Sequence, residues 1–104
     1  MPIVAVIEWP AAEGLDMRAE YARVADELNG GRPFTSLSDW GGGLISHVAA
    51  EADDGTSIVV DVWEDQSSMD AWMARVMPLI EDQPEPRVRV MPTINVVTGA
   101  PVRA

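Results

Sequence analysis

The chain contains no cysteine and no lysine, and holds one histidine, one tyrosine and one phenylalanine in 104 residues. Without cysteine there is no disulfide, no thiolate nucleophile and no cysteine-ligated metal. Without lysine there is no Schiff-base chemistry and no lysine-anchored pyridoxal cofactor; all seven cationic side chains are arginines. A single histidine excludes a histidine-rich transition-metal centre within one chain. No apolar run approaches the roughly 20 residues of a membrane-spanning helix. The opening MPIVAVIEW has neither a basic segment nor a small-residue cleavage site, so no signal peptide is expected and the cytoplasm is the expected location. The formal charge of −10 argues against nucleic acid and against an anionic membrane surface as partners. Otherwise that charge speaks mainly for solubility.

What remains is an ordinary globular composition, 47% hydrophobic and 23% charged. The length suits one domain, residues 1–104. A domain of this size buries only about 65% of the surface its unfolded chain exposes. A large ligand cavity therefore competes with the core, unless a second subunit adds buried area.

Residues 3–9, IVAVIEW, are β-branched and apolar, as in a largely buried strand. Asp16 is placed to cap a helix in which Met17, Tyr21, Val24 and Leu28 form one apolar stripe, ended at Asn29-Gly30-Gly31. A loop of about a dozen residues follows, carrying Phe34, Leu37 and Trp40 before Gly41, Gly42 and Gly43. Two readings are open for it: a hinged lid, or apolar cover for one end of the core.

Residues 44–63 read as two strands joined at Asp53-Asp54-Gly55. A three-residue turn with Gly55 in the left-handed conformation pairs Ala52 with Thr56 and sets His47 opposite Asp61. A two-residue Asp-Gly turn shifts the pairing by one, putting His47 opposite Val62 and Asp61 on the other face. Beyond the hairpin, Asp65 or Ser67 can cap a second helix. In it Met69, Trp72, Met73, Val76, Met77 and Ile80 follow helical spacing, and Pro78 should end or kink it. Residues 87–97 read as a last strand, with Pro92 marking an edge, a bulge or a break.

The order is β-α-β-β-α-β. Right-handed crossovers then predict an α+β, ferredoxin-like fold: a four-stranded antiparallel sheet with both helices on one face. The opposite face is rich in Val and Ile and has no cover from its own chain. A second copy of the sheet is the expected cover, which makes a homodimer.

The strings GLISHVAA (residues 43–50), VDVWED (residues 60–65) and MDAW with its later PL resemble the dimeric α/β-barrel superfamily. The similarity is greatest to its small, mostly uncharacterised actinobacterial members, whose relatives are the antibiotic-biosynthesis-monooxygenase-like proteins. The resemblance implies a dimer whose sheets form a barrel, with a small-molecule pocket between each sheet and its helices. Members of the superfamily include cofactor-independent monooxygenases, polyketide cyclases, haem-degrading enzymes, muconolactone-isomerase-like enzymes and proteins with no known activity, and the resemblance does not choose among them. Trp63 stands where the monooxygenase-like members carry a strand-end tryptophan. The second helix has no histidine, which departs from the monooxygenase-like and haem-degrading patterns, and the loop at residues 30–43 is longer than the family's.

The three-residue register would bring His47, Asp61 and Trp63 to one face. A carboxylate beside an imidazole fixes its tautomer and raises its basicity, as a general base near neutral pH requires. His47 and Asp61 are the candidate catalytic pair; Tyr21, Trp40, Trp63 and Trp72 are candidate aromatic walls for a small aromatic or hydrophobic molecule. The chemistry expected is proton abstraction from an acidic C–H or phenol of an aromatic or polyketide-like substrate, by a cyclase, isomerase or monooxygenase with no cofactor. His47, Asp61 and Glu8 are metal-ligand types without a metal-site spacing, so no metal is expected. The alternative is a non-catalytic dimeric module for ligand binding or structural support, in which Asp61 merely satisfies His47 or pairs with Arg87 or Arg89.

Overall fold

The computed structural model describes residues 1–98. Its elements are β1 (Ile3–Trp9), α1 (Met17–Leu28), β2 (Leu44–Glu51), β3 (Ser57–Trp63), α2 (Gln66–Ile80) and β4 (Arg87–Pro92), with one 3-10 turn at Leu37–Trp40. The strands form a single antiparallel sheet in the order β2-β3-β1-β4. This is the ferredoxin-like α+β arrangement that the element order predicts.

The hairpin takes the three-residue turn. Ala52 N donates to Thr56 O at 2.8 Å, Gly55 N donates to Ala52 O at 2.9 Å, and Gly55 sits at φ +88°. The Asp54 carboxylate accepts from Thr56 N at 2.9 Å, which holds its pKa below the usual carboxylate value. Val48 therefore pairs with Val60, and His47 with Asp61. Nearer its start β2 bulges: Ser46 pairs with Val62 while Leu44 pairs with Trp63. The extra residue reverses the alternation there and turns Leu44 into the core, where strict period-2 pairing would have turned it out.

Each helix begins on an aspartate. Asp16 accepts from the backbone N–H of Arg18 and Ala19 at 3.0 and 3.3 Å. Of the two possible caps for α2 it is Asp65 that serves, accepting from Ser68 N at 2.8 Å. α2 runs through Pro78 to Ile80. The missing N–H of Pro78 removes a bond only in the last turn, so the helix stops two residues later rather than at the proline. Met77, expected in the apolar stripe, is exposed. β4 is shorter than expected: it ends at Pro92, which cannot continue the ladder, and Thr93 turns back to donate to Pro2 O at 3.1 Å. Ile94 and Val97, expected in that strand, are exposed.

Ala5, Trp40, Leu44, Trp63, Met69 and Trp72 form the buried cluster between sheet and helices. At Gly43, φ +82°, an added Cβ would run into the Ser68 side chain, so the chain entering β2 passes directly against the first turn of α2. The other sheet face carries Val4, Val6, Val48, Val60, Val62 and Met91, with Val48 55% exposed. Both helices lie on the opposite side.

Candidate active site

Strand alternation turns Ala5, Asp61 and His47 toward the helices from three adjacent strands. Asp61 lies on a central strand and is 3% exposed, the buried charged residue among the described residues. A carboxylate there needs a donor, and His47 supplies it: Nδ1 lies 2.5 Å from Asp61 Oδ1. An ionised carboxylate only accepts, so Nδ1 carries the hydrogen and Nε2 presents its lone pair. Tyr21 of α1, five residues beyond the Asp16 cap, brings its hydroxyl to 2.7 Å from that Nε2. The polarity of the chain follows: Tyr21 O–H donates to His47 Nε2, and His47 Nδ1–H donates to Asp61.

This chain sits in an aromatic surround. The Trp40 ring lies 4.4 Å from the imidazole, Phe34 stacks on Trp40 at 4.4 Å, and Phe34 meets Trp72 edge-on at 5.7 Å and Tyr21 edge-on at 6.1 Å. The segment that delivers Phe34 and Trp40 is the long loop before β2. Its 3-10 turn is held by Asp39, whose carboxylate accepts from Thr35 N and Ser36 N at 2.9 and 3.0 Å and whose pKa is lowered by those two bonds. The loop is at once cover for the core and a wall of the site.

The helices stand off the sheet and leave a cavity of about 480 Å³ lined by Tyr21, Phe34, Trp40, His47, Asp61 and Trp72, and farther along by Trp9 and Ser57. That volume is in the range of small-molecule sites. From Asp61 to Ser57 is four residues along β3, so the cavity extends roughly 13 Å from the imidazole at about 3.3 Å per residue. Arg18 with Glu51 at 3.3 Å, and Glu20 with Arg23 at 2.8 Å, form ion pairs at its edge. Gln83 donates to Glu20 at 2.8 Å. Burial raises the pKa of the Tyr21 phenol above its ordinary value, and the nearby Asp61 charge acts in the same direction. The indole N–H of Trp9 is buried without an acceptor. An unmet donor of this kind costs about 1–3 kcal/mol.

Of the residues singled out in the sequence, His47, Asp61, Tyr21, Trp40 and Trp72 come together on the cavity. Trp63 does not. It shares the face of Asp61 but is 1% exposed and fills the core at the end of β3 away from the cavity, which runs from Asp61 toward Ser57. Glu8 pairs with Ile58 and Arg87, and Arg89 pairs with Val6, so all three lie on the face away from Asp61 and none joins the site. Phe34 was legible only as a loop anchor, yet it touches three of the site's aromatic rings. Its signal was being the one phenylalanine, set with Leu37 and Trp40 in a loop rich in Gly and Ser. Among the described residues no group of three or more His, Cys, Asp or Glu is placed to hold a metal, and no helix is long and apolar enough to cross a membrane.

No protein-family model matches the chain, and no curated protein matches it by sequence. Solved structures do match. A mutant of the cofactor-independent oxygenase SnoaB from Streptomyces nogalater superposes with a TM-score of 0.64 at 12% identity, covering 94% of this chain and 98% of that one. A Nitrosomonas europaea protein of unknown function gives 0.65 at 16% identity, with 95% of each chain covered. The ActVA-Orf6 monooxygenase of Streptomyces coelicolor, in complex with nanaomycin D, gives 0.55 at 19% identity, covering 94% and 92%. The structural neighbours also include a Chloroflexus aurantiacus protein described as an antibiotic biosynthesis monooxygenase, with a TM-score of 0.63 at 15% identity, and the resemblance seen in residues 43–80 is borne out at the level of the fold.

Proposed function

We propose that this chain is a cofactor-independent enzyme that abstracts a proton from a flat aromatic or polyketide-like molecule held in the cavity. The observation that carries this reading is the His47–Asp61 pair set against an aromatic-walled cavity of about 480 Å³. A buried carboxylate on Nδ1 keeps the Nε2 lone pair turned to the Tyr21 hydroxyl on the cavity side, and it stabilises the imidazolium formed once a proton is taken. Phe34, Trp40 and Trp72, packed against one another in the cavity lining, give it an aromatic wall that suits a planar ring system. The carbanion or enolate left on the substrate then cyclises, is reprotonated elsewhere as an isomer, or is attacked by O2. The fold shared with SnoaB and ActVA-Orf6 fits this reading, and the residues named here carry it.

We also propose that the chain works as a homodimer joined through the Val-rich sheet face. Removing those side chains from water is worth about 25 cal/mol per Å² of apolar area.

The test uses 1,8-dihydroxyanthrone, a flat tricyclic ketone with an acidic methylene group, deuterated at that carbon and kept free of O2. Wild-type protein should accelerate loss of the deuterium to water, and His47→Gln should abolish the acceleration while retaining the fold and the quenching of tryptophan fluorescence by the probe. Binding without acceleration would mark the cavity as a carrier site, and a filled, non-binding cavity would mark His47 as structural.

A further inference from the structure

In the free protein neither ring nitrogen of His47 is available to a substrate. Nδ1 is taken by Asp61, and Nε2 by the Tyr21 hydroxyl at 2.7 Å. The His47 side chain is 12% exposed and that of Asp61 5% exposed, with Trp40 tilted against the imidazole. Tyr21 is 37% exposed and lines the cavity. The chain of hydrogen bonds therefore has one accessible end, and it is a phenol.

We infer that Tyr21 is the catalytic residue that touches the substrate, and that His47 and Asp61 act through it as a proton relay. This rests on the proton-abstraction reading above and names its terminal atom, Tyr21 Oη. In the step, the substrate C–H bond breaks and its electron pair stays on the substrate as an enolate. The proton goes to Tyr21 Oη as the phenolic proton passes to His47 Nε2. The phenol ends neutral, the imidazole ends as an imidazolium, and that cation is held against the Asp61 carboxylate. For isomerisation the same path runs backward and returns the proton to a second carbon. No free phenolate accumulates, in keeping with a half-buried phenol whose ionisation is disfavoured by desolvation and by the Asp61 charge. The titratable groups facing the phenol are His47 and Asp61 from the sheet. The cavity's other charged lining groups, Arg18, Glu20 and Glu51, are engaged in the Arg18–Glu51 and Arg23–Glu20 ion pairs.

The experiment is deuterium loss from 1,8-dihydroxyanthrone under anaerobic conditions, comparing wild type, Tyr21→Phe and His47→Gln at equal probe occupancy. Tyr21→Phe keeps the ring against Phe34 and removes only the hydroxyl. The relay predicts a fall of at least ~10²-fold in exchange rate for both variants, the lower end of what a positioned acid–base group contributes. Full exchange in Tyr21→Phe with loss in His47→Gln would overturn the relay and leave His47 as the direct base. No exchange by wild type above buffer would overturn the proton-abstraction reading and the relay with it. A second measurement covers the case in which Tyr21→Phe does not fold. Because the chain has one tyrosine, growth on 3-fluorotyrosine alters Tyr21 alone. The more acidic fluorophenol should move the alkaline limb of the pH–rate profile to lower pH; an unmoved limb would mean that the hydroxyl transfers no proton.

Discussion

At the scale of single residues, the sparse composition makes the site unusually easy to observe. With one histidine and one tyrosine, imidazole and phenol signals each come from the site alone. Tyr21 should ionise above the ordinary tyrosine range near pH 10, since burial and the Asp61 charge both oppose phenolate. The folded protein then holds this proton more tightly than the unfolded chain. The resulting stability is fully present below the unfolded pKa and is lost as pH rises through the folded one. Phenolate absorbance should therefore rise only above the range of free tyrosine, and Tyr21→Phe should flatten the fall in melting temperature over that window. Asp61→Asn should be more damaging. It replaces the charge-assisted bond from Nδ1–H by a bond to a neutral amide oxygen, a loss of about 1–2 kcal/mol. Chemical denaturation should show a loss of that order, along with loss of anthrone exchange. The His47–Asp61 contact could be read from the sequence because hairpin pairing follows from turn type. The Tyr21 bond could not: it depends on the rotation of α1 over the sheet, which helical periodicity leaves free by tens of degrees.

At the scale of elements, the hairpin turn controls the site. Gly55 sits at φ +88°, and a Cβ there would also press to 3.1 Å on Ala11. Gly55→Ala should cost roughly 1–2 kcal/mol from the left-handed conformation alone, and more where Ala11 does not yield. A stability measurement showing no loss would contradict the turn, and with it the register that joins His47 to Asp61. The capping aspartate of α2 gives a test of opposite pH sense. Asp65 is pulled below the usual carboxylate pKa by its bonds to the Ser68 hydroxyl and backbone N–H and to the Ser67 hydroxyl. Its contribution is present above the unfolded pKa near 4 and lost as pH falls through the folded value. Asp65→Asn should weaken the acid dependence of the melting temperature. Strand and helix identities were legible from periodicity and from Gly, Pro and Asp punctuation. The bulge at the start of β2 was not, since both the bulged and the regular pairing satisfy the local pattern. That bulge is what turns Leu44 into the core beside Trp63.

At the scale of the whole molecule, two faces of one sheet have separate tasks. One carries the site under its helices. The other presents Val4, Val6, Val48, Val60 and Val62 and is proposed to close against a second copy. Sedimentation at micromolar concentration should give a dimer, and Val48→Arg, placing a charge in the middle of that face, should give a folded monomer. A wild-type monomer would contradict the proposed dimer without touching the site. The topology was legible from the order of elements, because few right-handed connections are compatible with β-α-β-β-α-β. The cavity was not legible, because its volume depends on how far the helices stand from the sheet, and that distance is set by Phe34, Trp40 and Trp72 packing together rather than by any one element.

The account turns on a phenol–imidazole–carboxylate chain with a fixed direction of donation. Long-range proton–nitrogen correlation of the single imidazole in ¹⁵N-labelled protein near neutral pH tests it most directly. The hydrogen of the neutral imidazole should sit on Nδ1, bonded to Asp61, and the Nε2 shift should change in Tyr21→Phe. A hydrogen on Nε2, or an imidazole indifferent to both Tyr21→Phe and Asp61→Asn, would contradict it.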